Sequence, residues 1–150
     1  MKIVFTRADG GTSIMTPGAQ AAVAKQLPEV EGMTEQEYIE FIRDRDVPAD
    51  AINVRIVQDN EIPTDRTFRN ALKHDLTHDK GQCVEITKER LRRERAPLLA
   101  DLDTQYMRAI EEGKPTAVIV AEKNRLRNIT LLAHPGLTLD ELKALKALKA

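Results

Sequence analysis

The sequence predicts an α+β fold: an N-terminal β-hairpin with a helix and a third strand, followed by an antiparallel helical hairpin and a C-terminal helix. Three observations carry this expectation. Short β-branched runs flank an Asp-Gly-Gly turn at the front. A Thr-x-x-Glu helix start and an alternating apolar strand come next. From residue 87 onward the apolar spacing changes to the helical period.

Taken in order, Lys2-Ile3-Val4-Phe5-Thr6 and Thr12-Ser13-Ile14-Met15-Thr16 read as two strands around Asp9-Gly10-Gly11, closed by Pro17-Gly18. Residues 19–33 are Ala-rich but carry Pro28 and Gly32, which suits a short helix and then a loop. Thr34 and Glu37 form a capping box, and Tyr38, Phe41 and Ile42 share one face of the helix it starts. Val47-Pro48 ends that helix, because the residue before proline avoids the helical region. Ile52, Val54 and Ile56 alternate with Asn53 and Arg55, as in a half-buried strand. Asp65 is placed to cap a short helix through Leu72, with Phe68 and Leu72 as its apolar pair. Residues 73–83 mix His, Asp, Lys and Gly and read as a link or a second hairpin, and Val84-Glu85-Ile86 as a strand.

The second half is helical in pattern. Leu91, Leu98, Leu99, Leu102, Tyr106, Ala109 and Ile110 fall on one face. Pro97 lies inside this stretch and removes a backbone donor, so either the helix kinks or it is two pieces; the in-phase stripe favours a kink. Gly113 is a stop and Pro115 a restart at a first helical position, with Val118, Ile119, Leu126 and Ile129 as the second stripe. Thr138 and Glu141 form another capping box with Leu137 and Leu142 as its staple, and the closing Leu-Lys-Ala repeats are strong helix formers. The chain thus divides into a small α+β unit (1–72), a linker or second hairpin (73–86) and a helical region (87–150).

Composition narrows the function. The 150 residues hold 23 Lys and Arg against 24 Asp and Glu, a net charge of -1, so no overall field draws the chain onto nucleic acid or a membrane. Aromatics are 3% and Trp is absent, leaving helix packing to Leu, Ile, Val and Ala. Cys83 stands alone, which excludes an intrachain disulfide and fits a reducing compartment. Ile3-Val4-Phe5 is too short for the apolar region of a signal peptide, and no apolar run reaches membrane-spanning length. The expected location is the cytoplasm.

Candidate chemistry is sparse. His74 and His78 would share a helix face, as zinc ligation requires, but their segment lacks helical periodicity and no Glu follows the first His. Asp9-Gly10-Gly11 lacks the downstream Gly-Lys-Ser/Thr of a phosphate loop. A lone Cys83 is read as a packed thiol rather than a nucleophile. The basic run from Lys88 to Arg95 is diluted by Glu89 and Glu94 and has no interleaved aromatics, so a solvated face with internal ion pairs outweighs an acidic protein partner, and that in turn outweighs nucleic acid. No catalytic residue, metal ligand or cofactor site is assigned. The amphipathic helices must pack, either on their own chain, on a partner or on a second copy.

One pattern is familiar. Arg92-x-x-Arg95-x-x-Leu98-Leu99-x-x-Leu102-Asp103-x-x-Tyr106, followed by Leu126-Arg127-Asn128-Ile129-Thr130, resembles the small bacteriophage tail-assembly or tail-fibre-associated proteins, including tail assembly chaperones. The strand, Asp-Gly-Gly turn and strand at the front, and the segment Ile62-Pro63-Thr64-Asp65-Arg66-Thr67-Phe68-Arg69-Asn70-Ala71, look like prophage proteins of the same setting. The chain departs from the family at Thr104, where a Trp often stands, and at Asn128, where Asp is preferred. The resemblance implies a non-catalytic protein that binds a phage tail or tail-fibre polypeptide in the host cytoplasm during assembly. The alternative is an adaptor or attachment protein retained in the virion. Leu91, Arg92, Arg95, Leu98, Leu99, Leu102, Tyr106 and Ile110 are the expected partner-binding residues.

Overall fold

Strand β1 (Lys2–Thr6) is the centre of an antiparallel sheet in the order β2-β1-β3, with β2 at Thr12–Met15 and β3 at Ile52–Val57. This computed structural model describes residues 1–148. The β1–β2 hairpin turns on Gly10, whose φ of 81° a side-chain-bearing residue rarely adopts, and the Asp9 carboxylate accepts the Gly11 N–H at 2.8 Å. That bond, with Arg7 beside it, holds the Asp9 carboxyl below its usual range.

Between the hairpin and β3 come a short helix α1 (Gln20–Val23), a 3₁₀ turn at Pro28–Val30 and helix α2 (Glu35–Asp46). The Thr34 capping box forms in full: the Thr34 hydroxyl accepts the Glu37 N–H, and the Glu37 carboxylate accepts the Thr34 N–H at 2.8 Å. Tyr38, Ile39 and Ile42 of α2 pack with Ile3 and Phe5 of β1 and with Val30 to form a core, and the Tyr38 hydroxyl donates to the Gly18 carbonyl at 2.8 Å. Val47 takes an extended conformation and ends α2 before Pro48.

β3 departs from simple alternation. Val4 pairs with Arg55 but Thr6 pairs with Ile52, so β3 carries one extra residue there, and Asn53 sits at φ 55°. The bulge leaves Ile52 60% exposed and Val54 exposed, while Val57 is buried on the face opposite Ile56. The segment after β3 is also not the expected helix. Asp65 accepts the Thr67 N–H at 2.8 Å in a local turn, and only the 3₁₀ turn Arg69–Ala71 follows. Phe68 is buried as expected, with His78 meeting its ring edge-on at 6.5 Å between centroids. Residues 72–78 close as a tight reversal with Leu72 bridged to His78, Lys73 N–H bonded to Thr77 carbonyl, and Leu76 at φ 66°.

The first compact unit is Met1–Asp79, and a second begins at Lys80. Helix α3 runs Lys80–Glu111, so residues 80–86 are helical rather than linker, and Val84-Glu85-Ile86 is no strand. Cys83, Val84, Thr87 and Leu91 give its first turns a buried face at helical spacing, which outweighs the turn-like composition of the preceding residues. α3 passes through Pro97 as one helix; the Arg93 carbonyl lacks the donor that Pro97 cannot supply. At its end Gly113 (φ 64°) completes a Schellman motif, with Lys114 N–H on the Ala109 carbonyl and Gly113 N–H on the Ile110 carbonyl. Helix α4 spans Ala117–Asn128 with Thr116 as its N-cap, so Pro115 lies one residue before the cap rather than at the first helical position. A 3₁₀ turn (Ile129–Leu132) leads to helix α5 (Leu139–Ala144), whose Thr138–Glu141 capping box forms as expected. The Leu-Lys-Ala repeat does not continue that helix: Leu145 is extended, and residues 145–148 are non-helical. The last two residues of the repeat lie outside the described residues.

Thr34→Ala is expected to destabilise the chain by about 1 kcal/mol in urea denaturation at pH 7. The Thr34 N–H and hydroxyl lower the Glu37 pKa, so Glu37 stabilises the fold fully above the ordinary carboxylate pKa, and that contribution fades as pH falls through the lowered value. The stability gap between the wild type and Glu37→Ala is therefore expected to close as pH is lowered from 7 to 3, read from urea midpoints at each pH.

Candidate functional site

The helical unit is built around the long α3, which meets α4, the following 3₁₀ turn and α5. Its apolar stripe is unevenly covered, and Ala109 near the C-terminal end is buried. Leu91, at 0% exposure, is core; Leu98, Leu99, Leu102 and Tyr106 are half-buried; Ile110 is 52% exposed. Leu98 and Leu102 come together with Leu126 and Leu148 in an open cleft of about 240 Å³, rimmed by Asp101, Glu122 and Arg125. Tyr106 lies under the Lys123 ammonium, 4.9 Å from the ring centroid, and Lys123 also pairs with Asp103, which ties α3 to α4.

The basic run is divided between two jobs. Arg95 donates to the carbonyls of Leu126 and Arg127 at 3.3 and 2.6 Å, at the end of α4. Arg90 donates to the carbonyls of Leu142 and Leu145 at 2.9 and 2.7 Å, at the end of α5. Both sites are the negative ends of helices, where orphan carbonyls accept a cation's N–H groups. Glu94 accepts the Ala147 N–H at 3.0 Å and lies 3.6 Å from the Arg90 Nε, a buried atom with no hydrogen-bond partner among the described residues. Arg125 donates to the Ala147 carbonyl at 2.8 Å, and its bidentate bond to Glu122 raises its pKa. By contrast Arg92 is exposed and pairs with Glu89 at 3.3 Å. Of the residues expected to meet a partner, Leu91 and Arg95 are therefore engaged within the unit. Leu98, Leu99, Leu102 and Tyr106 are partly available, and Arg92 and Ile110 face solvent.

No family model, curated protein or solved structure matches this chain. The residues themselves carry the reading.

Exposed apolar side chains flank the turn between α3 and α4. Met107 and Ile110 end α3, and Val118 and Val120 begin α4, on either side of the Gly113 turn; all four are exposed, Val118 at 81%. Leu131 and Leu132, beyond α4, are exposed too. The stripe criterion misses Met107 and Val120, and it places Val118 in the second stripe, where the structure leaves that side chain exposed rather than packed. The available signal was the excess of apolar residues over what one stripe can absorb in 117–120.

The remaining polar candidates are local structure. His74 sits in the reversal and His78 against Phe68, so the two do not share a helix face. Asp75 accepts the Thr77 hydroxyl and N–H, which lower its pKa. Cys83 is buried, and its carbonyl accepts the Thr87 hydroxyl at 2.9 Å. Among the described residues no group of three His, Cys, Asp or Glu is placed to hold a metal ion, and no helix is long and apolar enough to cross a membrane.

Leu91→Ala is expected to cost about 2–5 kcal/mol in chemical denaturation, and Ile110→Ala less than about 0.5 kcal/mol. Arg90→Met, which removes both carbonyl contacts, is expected to cost about 2 kcal/mol, with Arg92→Met close to neutral in the same assay.

Proposed function

We propose that this chain is a non-catalytic protein that binds another polypeptide through its helical unit, and that the polypeptide is a bacteriophage tail or tail-fibre subunit met during assembly. The observation that carries the binding reading is the exposed apolar set Met107, Ile110, Val118 and Val120 at the turn of the α3–α4 hairpin. Each side chain that becomes fully buried in an interface contributes about 1.5–3 kcal/mol. These four flank a turn whose Schellman bonds already close the end of α3, which limits the ordering that docking costs. The half-buried Leu98 and Leu102 extend the apolar surface along the same helix. The phage setting is supported by the sequence resemblance, which spans both the front segment and the helical hairpin. An assembly role suits such a surface, because unassembled subunits of oligomeric particles expose sticky patches that a binding protein can cover.

The test is co-expression with bacteriophage tail and tail-fibre polypeptides, followed by affinity purification and measurement of Kd for any complex. Ile110→Glu and Val118→Glu are each expected to weaken the complex at least tenfold while leaving the thermal unfolding midpoint within a degree or two. Equal binding by these variants, or no complex with any of those polypeptides, overturns the reading. Mass spectrometry of purified particles then separates a transient assembly factor, absent from them, from a retained adaptor, present in stoichiometric amounts. Light scattering of the isolated chain reports whether a second copy covers the same surface.

A further inference from the structure

The first unit has an open strand edge. Among the described residues, β2 has β1 as its sole neighbour in the sheet. The hairpin register, together with the Arg7 N–H bond to the Gly11 carbonyl, makes Phe5–Ser13 and Ile3–Met15 the pairs that exchange hydrogen bonds. Thr12 and Ile14 therefore direct their N–H and C=O groups away from the sheet. The Thr12 carbonyl receives a long contact, 3.5 Å, from Arg7 Nη1; the main-chain groups of Ile14 have no hydrogen-bond partner among the described residues.

A cleft of about 280 Å³ lies against this edge, with Thr12 and Ile14 on one side and Ile62, Asp65, Arg66 and Arg69 among the residues opposite. Its charge is distinctive. The unit has six arginines, and Arg7, Arg43, Arg45 and Arg55 each pair with a carboxylate. Arg66 and Arg69 are in no ion pair among the described residues, and both line this one cleft. Asp65, the carboxylate in the cleft, already accepts the Thr67 N–H. Two exposed guanidiniums thus stand beside an open strand edge, with Ile14 and Ile62 as apolar neighbours.

We propose that the open edge of β2 accepts an extended, acidic polypeptide segment as an added strand, its carboxylates held by Arg66 and Arg69. The outward main-chain groups supply the ladder, and the guanidiniums select for carboxylates at alternate positions, which share one face of a strand. A nucleic-acid backbone has no N–H and C=O series to match that ladder. The site is separate from the apolar surface of the helical unit, so either can fail without the other.

The experiment titrates the full chain with a fluorescein-labelled ten-residue peptide alternating Glu and Val. The control peptide has Gln for every Glu, and a single-stranded oligonucleotide serves as an anion control. Amide exchange at Ile14 is followed alongside anisotropy. The Glu peptide is expected to bind at least tenfold more tightly than the Gln peptide, to protect the Ile14 amide, and to lose at least tenfold affinity in Arg66→Ala/Arg69→Ala. Equal affinity for both peptides, no binding of the Glu peptide, or oligonucleotide binding that matches it without protecting Ile14 overturns the proposal. The two-peptide comparison is made on the unmodified chain, so it holds even if the double variant misfolds.

Discussion

The last carbonyls of a helix have no donors within it, and in the helical unit side chains of α3 supply them. Arg95 takes the end of α4 and Arg90 the end of α5, each placing a positive charge at the negative pole of a helix. Glu94, between them in sequence, takes the Ala147 N–H. One stretch of six residues thus fixes the exits of two helices and the path of the chain beyond the second. These bonds explain why the closing Leu-Lys-Ala segment leaves the helical conformation its composition favours. The Leu145 and Ala147 main-chain groups are held by Arg90, Glu94 and Arg125, and Ala147 is fully buried in a non-helical bend. Tertiary bonding here outweighs a propensity difference of tenths of a kcal/mol per residue.

What could be read from the sequence was mostly what is local. The α+β class, the capping boxes at Thr34 and Thr138, the Asp-Gly-Gly hairpin and the glycine stop at 113 each depend on residues a few positions apart, and each forms. The misreadings have a common origin. Lys80–Ile86 follows a segment rich in turn formers, and its helical face becomes visible only when Cys83, Val84 and Thr87 are read together with Leu91. The bulge in β3 depends on pairing with β1, which a single strand's alternation does not reveal. Arg90 and Arg95 look like a solvated basic face until carbonyls 31 to 55 residues away are brought to them.

The same division applies to the candidate surface. Periodicity located the stripe but assigned it one role, whereas packing divides it between buried Leu91 and Ala109, half-buried residues between them, and exposed Ile110. Helix spacing fixes which residues share a face; how far a neighbouring helix extends over that face is a property of the loop and the partner. Here α3 and α4 meet through a short turn closed by Gly113, and the apolar side chains beside that turn stay uncovered.

The bulge at Asn53 has a consequence for how the sheet can grow. An irregular, more strongly twisted border strand is a poor template for a newcomer, and β3 has one on its side of the sheet. β2, on the other side, pairs with β1 in unbroken register. A sheet with a single receptive margin can join once and then stops. The geometry therefore permits pairing while withholding the second attachment point that runaway, fibre-like polymerisation demands.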